Sequence, residues 1–350
     1  AYDTWEVPPE FVLLVGDVSG QIIVPTFYIP GGWGNYDVTD FQYSLCEGDD
    51  YFPDVMLGRV SIQSLTQLQT VISKIVNYEK TPYMDEDWFD HSLMISYVLD
   101  EGGWHLYSHR ETVMAVREKL LDYTHTVVDT FVHPFNQGQG NLATMINQGR
   151  SIVNLRATGS HDHWVTWYGV ELFGINNVNN LTNGFKLPFV ASMTCGGGDF
   201  GAGQEPSNFG ETWLMAGTPS VPKGAIAFVG PSEYDTQTGW NNANDIGIFQ
   251  GYTQYGVNKA AAMMLSGKMA LYNNYPYGHE MGNAHDSDQF YFYVYGLLGD
   301  PAVAIWCETP KIVSLEIESE IAFEENFLEA EIDIEDADKS GFTIAVTNAD

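Results

Sequence analysis

Short, continuous apolar runs alternate along most of this chain with longer stretches in which apolar residues recur every three or four positions. A run such as Phe11-Val12-Leu13-Leu14-Val15 suits a strand covered on both faces, whereas the longer stretches suit helices that bury one stripe. The alternation predicts an α/β domain: a mostly parallel sheet with helices on both sides. Strands are expected over 11–17, 93–99, 126–131, 151–155, 189–195, 225–229 and 302–306. Ser64-x-x-Gln67 reads as a capping box opening a helix with Leu65, Leu68, Ile72 and Ile75 on one inner stripe. A second helix, 108–123, turns Val113, Val116 and Leu120 inward, and further helices are expected over 142–148, 207–216 and 259–272. The methionines of the last read as core filling.

Beyond Pro310 the period changes to two. The segments 312–317 and 328–334 alternate apolar and acidic residues, the pattern of half-exposed antiparallel strands. This places a domain boundary near 308–311 and divides the chain into 1–308 and the start of an all-β unit over 309–350. The abrupt openings at both ends, with Pro8-Pro9-Glu10 running straight into a strand, are expected of a piece of a longer precursor.

Charge narrows the choice of partner. Among 350 residues, 46 are acidic and 14 basic, a formal net charge of -32. A polyanionic partner would be repelled, so nucleic acid is excluded, and a secreted or cell-surface protein is expected. Glu47-Gly48-Asp49-Asp50 with Asp54 offers carboxylates to Ca²⁺, or is equally a solvated loop. Three cysteines, Cys46, Cys195 and Cys307, give no disulfide framework, and no apolar run has the length of a membrane span. The 20 Tyr, 19 Phe and 9 Trp suit extended contacts, including a homo-oligomer or surface assembly.

Candidate chemistry gathers past the ends of predicted strands, where open α/β sheets bind ligands. The strand 189–194 ends at Cys195-Gly196-Gly197-Gly198, which is either a rigidly placed nucleophile followed by a turn open to a carbonyl, or a buried cysteine acting as a small hydrophobe. Another strand end carries His161 and His163, and a third carries Asp100 and Glu101. Acid, histidine and thiol are the parts of a cysteine hydrolase, whose nucleophile would have a lowered thiol pKa. His161-x-His163 as a zinc pair lacks a third ligand at a recognisable spacing. His105 and His109 read as a solvated helix face.

These segments are ordered as in a known family. Val12-Leu13-Leu14-Val15-Gly16-Asp17, Pro53-Asp54-Val55-Met56-Leu57-Gly58-Arg59, Leu99-Asp100-Glu101-Gly102-Gly103, Thr194-Cys195-Gly196-Gly197-Gly198-Asp199-Phe200, Gly210-Glu211-Thr212-Trp213 and Leu298-Gly299-Asp300-Pro301 together resemble the gingipain-type cysteine peptidases. The resemblance implies a caspase-like three-layer sandwich followed by an Ig-like domain, a protein or peptide substrate and structural calcium. It also implies Cys195 as nucleophile, Glu101 as the carboxylate near the histidine, Gly159 and Cys195 as oxyanion donors, and Trp240 as a wall of the specificity pocket. The histidine departs from the family's Thr-Gly-His-Gly motif. A gapless alignment puts Thr158 at its position, whereas a gap brings His161 close, with His163 second, on the same side if the strand continues. Counting back from the helix puts Arg110 near the pocket, where it would repel a basic side chain. Two functions follow: an endopeptidase working through a Cys/His dyad, or a surface or assembly protein that has lost the dyad.

Overall fold

The computed structural model describes residues 1–32, 36–97, 104–132, 141–165, 171–201, 208–275, 287–311, 314–317 and 330–333, with the backbone alone over 104–107, 314–317 and 330–333. The strands are β1 (Phe11–Val15), β2 (Phe27–Pro30), β3 (Tyr36–Thr39), β4 (Met56–Val60), β5 (His91–Ser96), β6 (Val127–Val132), β7 (Ile152–Arg156), β8 (Thr158–Gly159), β9 (His163–Val165), β10 (Glu171–Gly174), β11 (Phe189–Met193), β12 (Ala227–Pro231), β13 (Tyr295–Gly299), β14 (Ser314–Ile317) and β15 (Ala330–Asp333). Between them lie helices α1 (Leu65–Lys80), α2 (Trp104–Leu121), α3 (Leu142–Asn147), α4 (Ile175–Asn179), α5 (Phe209–Met215), α6 (Thr238–Tyr255), α7 (Ala260–Asn274) and α8 (Asp288–Val294).

Among the described residues, eight strands form one sheet in the order β1-β4-β13-β12-β11-β7-β5-β6. Pairing is parallel on both sides of the β12/β13 junction and antiparallel across it, so the sheet consists of two oppositely directed parallel blocks. Side chains alternate between two cores. Phe189, Ala191 and Met193 of β11 join one apolar cluster, with residues of α2, α6 and α7. Val190 joins the other, with residues of α3, α4 and α5. The strict two-residue period thus gives each face of β11 its own helical layer.

The inward stripe of α2 is as expected, with Val113, Val116 and Leu120 each 0% exposed. The stripe of α1 is not. Its capping box forms between Ser64 and Gln67, but Leu65 and Ile72 are exposed while Thr70, Val71, Lys74 and Tyr78 are buried. Lys74 fixes this choice: its Nζ donates to Trp213 O at 3.3 Å and Leu214 O at 2.5 Å, supplying donors to the carbonyls at the end of α5. His109 also departs from expectation, being buried. The last strand of unit 1–308 lies earlier than 302–306. It is β13, and Asp300-Pro301 follows it as a turn, with Asp300 Oδ1 accepting from Ala302 N at 2.9 Å. Residues 302–306 retain only an isolated bridge between Ala304 and Lys259, since Pro301 carries no N–H to continue a ladder.

The chain separates into two compact units, 1–308 and 309–350. In the second, β14 and β15 pair antiparallel with Ser314 opposite Asp333. No helix among the described residues is long and apolar enough to cross a membrane.

Candidate active site

Strand β11 is buried at every position and runs between parallel neighbours β7 and β12, so its C-terminal end is rigidly placed. Cys195 stands two residues past that end and is half-buried. The glycines after it are required by the protein's own packing. Gly196 has φ +62°, and the Tyr234 ring occupies the space where a Cβ would sit; Gly198 lies against the backbone of Gly230. Gly196 N donates to Glu233 O at 2.8 Å and Gly198 N to Pro231 O at 2.9 Å, which laces this loop to the end of β12.

Cys195 Sγ lies 3.5 Å from Thr236 Oγ1. The Thr236 hydroxyl donates its proton to Thr194 O at 2.9 Å and accepts from Asn241 Nδ2 at 2.8 Å. The contact with Thr236 favours the thiolate form of Cys195. Burial pushes the Cys195 pKa up, while hydrogen bonding to Thr236 and then the nearby Arg156 guanidinium draw it down. The net rise reverses the lowered pKa expected of a catalytic thiol, because this sulfur is desolvated without an imidazolium beside it.

Arg156, the last residue of β7, is buried beneath the same loop. It donates to Asn242 Oδ1 at 2.6 Å, Met193 O at 3.0 Å and Thr238 O at 3.1 Å, tying the ends of β7 and β11 to the start of α6. On the other side, β8 lies so close to Thr194 Oγ1 and Cys195 O that Gly159 has no room for a Cβ. Trp164 holds this arrangement from behind: it is 0% exposed, and its Nε1 donates to Ser192 Oγ at 3.0 Å.

The two histidines part company. Ser160 N donates to His163 O at 2.9 Å, closing a tight turn between β8 and β9, so the strand does not continue from His161 to His163. His163 begins β9, where its Nδ1 pairs with the Asp162 carboxylate. His161 sits at the turn, its O accepting from Phe209 N at 2.7 Å and its ring packing edge-on to Tyr234 with centroids 5.9 Å apart. Tyr234, whose hydroxyl donates to Asp199 at 3.4 Å, thus lies between His161 and Gly196. Neither histidine hydrogen-bonds Cys195 in this arrangement.

Glu101 lies outside the described residues. Trp240, in the first turn of α6, stacks on Tyr275 at 3.9 Å and on Tyr291 at 5.4 Å. Arg110 is exposed on α2. Asp54 Oδ2 accepts from Cys46 N at 2.7 Å and Glu47 N at 2.9 Å, and Asp50 Oδ1 from Phe52 N at 2.9 Å, so these carboxylates hold their own loop. Among the described residues, Asp49, Asp50 and Asp54 do not bring ligand atoms within 4.8 Å of one another. An apolar cavity lined by Phe41, Met56, Met264 and Lys268 reaches the glycine loop at Gly198 and Phe200 but is not lined by Cys195.

A family model for peptidase family C25 matches residues 1–306. The chain belongs to peptidase family C25. Among its relatives, Gingipain R2 of Porphyromonas gingivalis is 28% identical over 222 residues, covering 63% of this C25 chain and 28% of the relative. Lys-gingipain of the same organism is 25% identical over 324 residues, covering 87% of this chain and 17% of the relative. The chain therefore spans well under half the length of either. The crystal structure of the Arg-specific cysteine proteinase gingipain R superimposes with a TM-score of 0.77 at 22% identity, covering 95% of this chain and 72% of that one. The caspase-like sandwich is thus the C25 fold.

Arg156, Thr236, Tyr234 and Glu233 were not among the residues singled out from the sequence. Arg156 left a readable trace, a cation ending the otherwise uncharged strand Ile152-Val153-Asn154-Leu155. Thr236 left none, because its contact with Cys195 spans 41 residues.

Proposed function

We propose that this C25 chain is a cysteine endopeptidase acting on polypeptides outside the cell or at its surface, with Cys195 as nucleophile. The observation that carries this reading is the backbone of Gly159 beside Cys195. Ser160 N donates a ladder hydrogen bond to His163 O, and hydrogen-bonded positions alternate with free ones in antiparallel strands, so Gly159, opposite Trp164, turns its N–H away from β9. Thr194 and Cys195 pack against the face of that same residue. Gly196 N is already given to Glu233 O, which leaves the Gly159 and Cys195 N–H groups for an oxyanion.

In this reading His161 is the base, reaching the thiol when the Tyr234 ring turns out from over Gly196, and Glu101 orients the imidazole. The base takes the thiol proton and the thiolate adds to the peptide carbonyl. The imidazolium then protonates the leaving amine, and water cleaves the thioester to restore Cys195. Exposed Arg110 gives no support for cleavage after a basic residue. Extracellular placement rests on the net charge of -32. Residues 309–350 are read as the start of an Ig-like domain to which the β14–β15 pair would belong.

A second reading, a polypeptide-binding member without hydrolysis, is favoured by one observation: Thr158 occupies β8 next to Gly159, where the gapless alignment expects the base. Labelling with a mixed-sequence peptidyl acyloxymethyl ketone, read by intact mass, separates the two. The first reading expects one adduct on the wild type and none on Cys195→Ala. It also expects labelling of His161→Ala to be slower by about 100-fold or more. A folded wild type that binds the peptide but gains no adduct supports the second; a His161→Ala variant labelled at the wild-type rate removes His161 as the base.

A further inference from the structure

The turn Asp87-Trp88-Phe89-Asp90-His91 enters β5 at its N-terminal end, the pole of the sheet opposite Cys195. Two aromatic residues anchor it. Trp88 and Phe89 are both 0% exposed with ring centroids 4.4 Å apart, and Trp88 Nε1 donates to Tyr83 O at 2.9 Å. His91 N donates to Trp88 O at 3.2 Å, and His91 O accepts from Ser151 N at 2.8 Å. With the backbone fixed in this way, Asp87, Asp90 and His91 each bring a ligand atom within 4.8 Å of the others.

An independent observation points to a ligand between them. Asp90 is 9% exposed; its Oδ2 accepts from Thr126 Oγ1 at 2.6 Å, but its Oδ1 is buried and makes no hydrogen bond. A buried carboxylate oxygen left in this state is costly. It lies 3.7 Å from His91 Nε2, too far for a hydrogen bond and an ion pair only when the imidazole is protonated. That separation is close to the ~3.4 Å edge of a tetrahedron of ligands around an ion with bonds of about 2.1 Å.

We propose that Asp87, Asp90 and His91 form a binding site for a divalent transition-metal ion of the zinc class, completed by solvent. One imidazole nitrogen with two carboxylates suits such an ion, whereas Ca²⁺ and Mg²⁺ favour all-oxygen shells. Asp90 also holds Thr126, the residue before β6, so the ion would fasten the starts of the edge strand β6 and its neighbour β5. Its distance from Cys195 along the sheet makes its role structural, and the net charge of -32 draws cations to the chain.

The test is titration of the metal-free chain with Zn²⁺ alone by calorimetry, and with Co²⁺ followed by its visible absorption bands. One ion per chain and a higher Tm in Zn²⁺ are expected. Asp90→Asn preserves shape and the acceptor for Thr126, and combined with His91→Gln it should weaken binding at least tenfold and abolish the Co²⁺ bands. Asp87→Asn changes an exposed side chain, leaves the core intact, and should also weaken binding about tenfold. Failure of the folded wild type to take up Zn²⁺ at micromolar concentration overturns the proposal. So does binding unchanged in these variants, or binding lost on His163→Ala instead, which would place the ion on the β8–β9 turn.

Discussion

Arg156 is a cation, 2% exposed, buried under the Cys195 loop, and its guanidinium meets neutral oxygens at every described contact. A positive charge held there favours the thiolate over the thiol, against the desolvation that favours the thiol. Arg156→Gln is therefore expected to raise the Cys195 pKa further. A rise of one unit slows alkylation by iodoacetamide at fixed pH about tenfold, measured as a pH–rate profile. Arg156→Lys keeps the charge and should lie between the two. An unchanged profile in Arg156→Gln would mean that the guanidinium only fastens backbone. Cys195 was legible in the sequence because a buried strand followed by glycines is a local pattern. What its sulfur touches was not, because Thr236 arrives from beyond the next strand of the sheet.

Trp164 couples packing to the site. It lies among Phe173, Phe209 and Trp213, with ring centroids 5.2–5.8 Å away, and it pins β9 to β11 through Ser192. Trp164→Ala is expected to cost about 3–5 kcal/mol in chemical denaturation. It should also loosen Gly159 against Cys195, lowering kcat for peptide cleavage in the fraction that stays folded. Trp164→Phe should retain most of the stability while losing the hydrogen bond to Ser192.

The same scale explains what the apolar pattern revealed and what it hid. Strands with continuous apolar runs were readable, as was α2 with its stripe. Helix α6 was not, because the face it buries includes Asn241, Asn244, Asp245, Gly247 and Gly251. Gly247 approaches Gly267 and Ala270 of α7 so closely that a Cβ would collide, and this close helix contact replaces an apolar stripe. Lys74 misled the reading of α1 for a related reason: a buried polar side chain serving helix-end carbonyls has no apolar period to report.

For the molecule as a whole, acidity is partly internal. Burial pushes the carboxyls of Glu211 and Asp245 up to about 7, and it raises Asp37, which faces Glu233, as well. In the unfolded chain such groups lose their protons near their ordinary values, about 4. The native state keeps these protons until about pH 7, so it binds more protons than the unfolded state across that window. Their contribution to stability is full below about pH 4 and is lost as pH rises through 7. The Tm is therefore expected to fall between pH 5 and pH 7; above that, buried Lys74 and Lys268, whose ammonium groups burial pushes down to about 7, work in the opposite direction. Asp245→Asn, which keeps an acceptor for Asn154 and cannot ionise, should flatten that decline. A wild-type Tm that rises from pH 5 to pH 7 would contradict these assignments.

The measurement that bears most directly on the central claim is hydrolysis of a mixed-sequence fluorogenic peptide library by the wild-type chain and by Cys195→Ala, under reducing conditions. Cysteine peptidase chemistry at Cys195 predicts cleavage by the wild type and none by the variant, with the cleaved sequences revealing the preferred side chain. A folded wild type that cleaves nothing, or a Cys195→Ala variant that cleaves equally well, would contradict it.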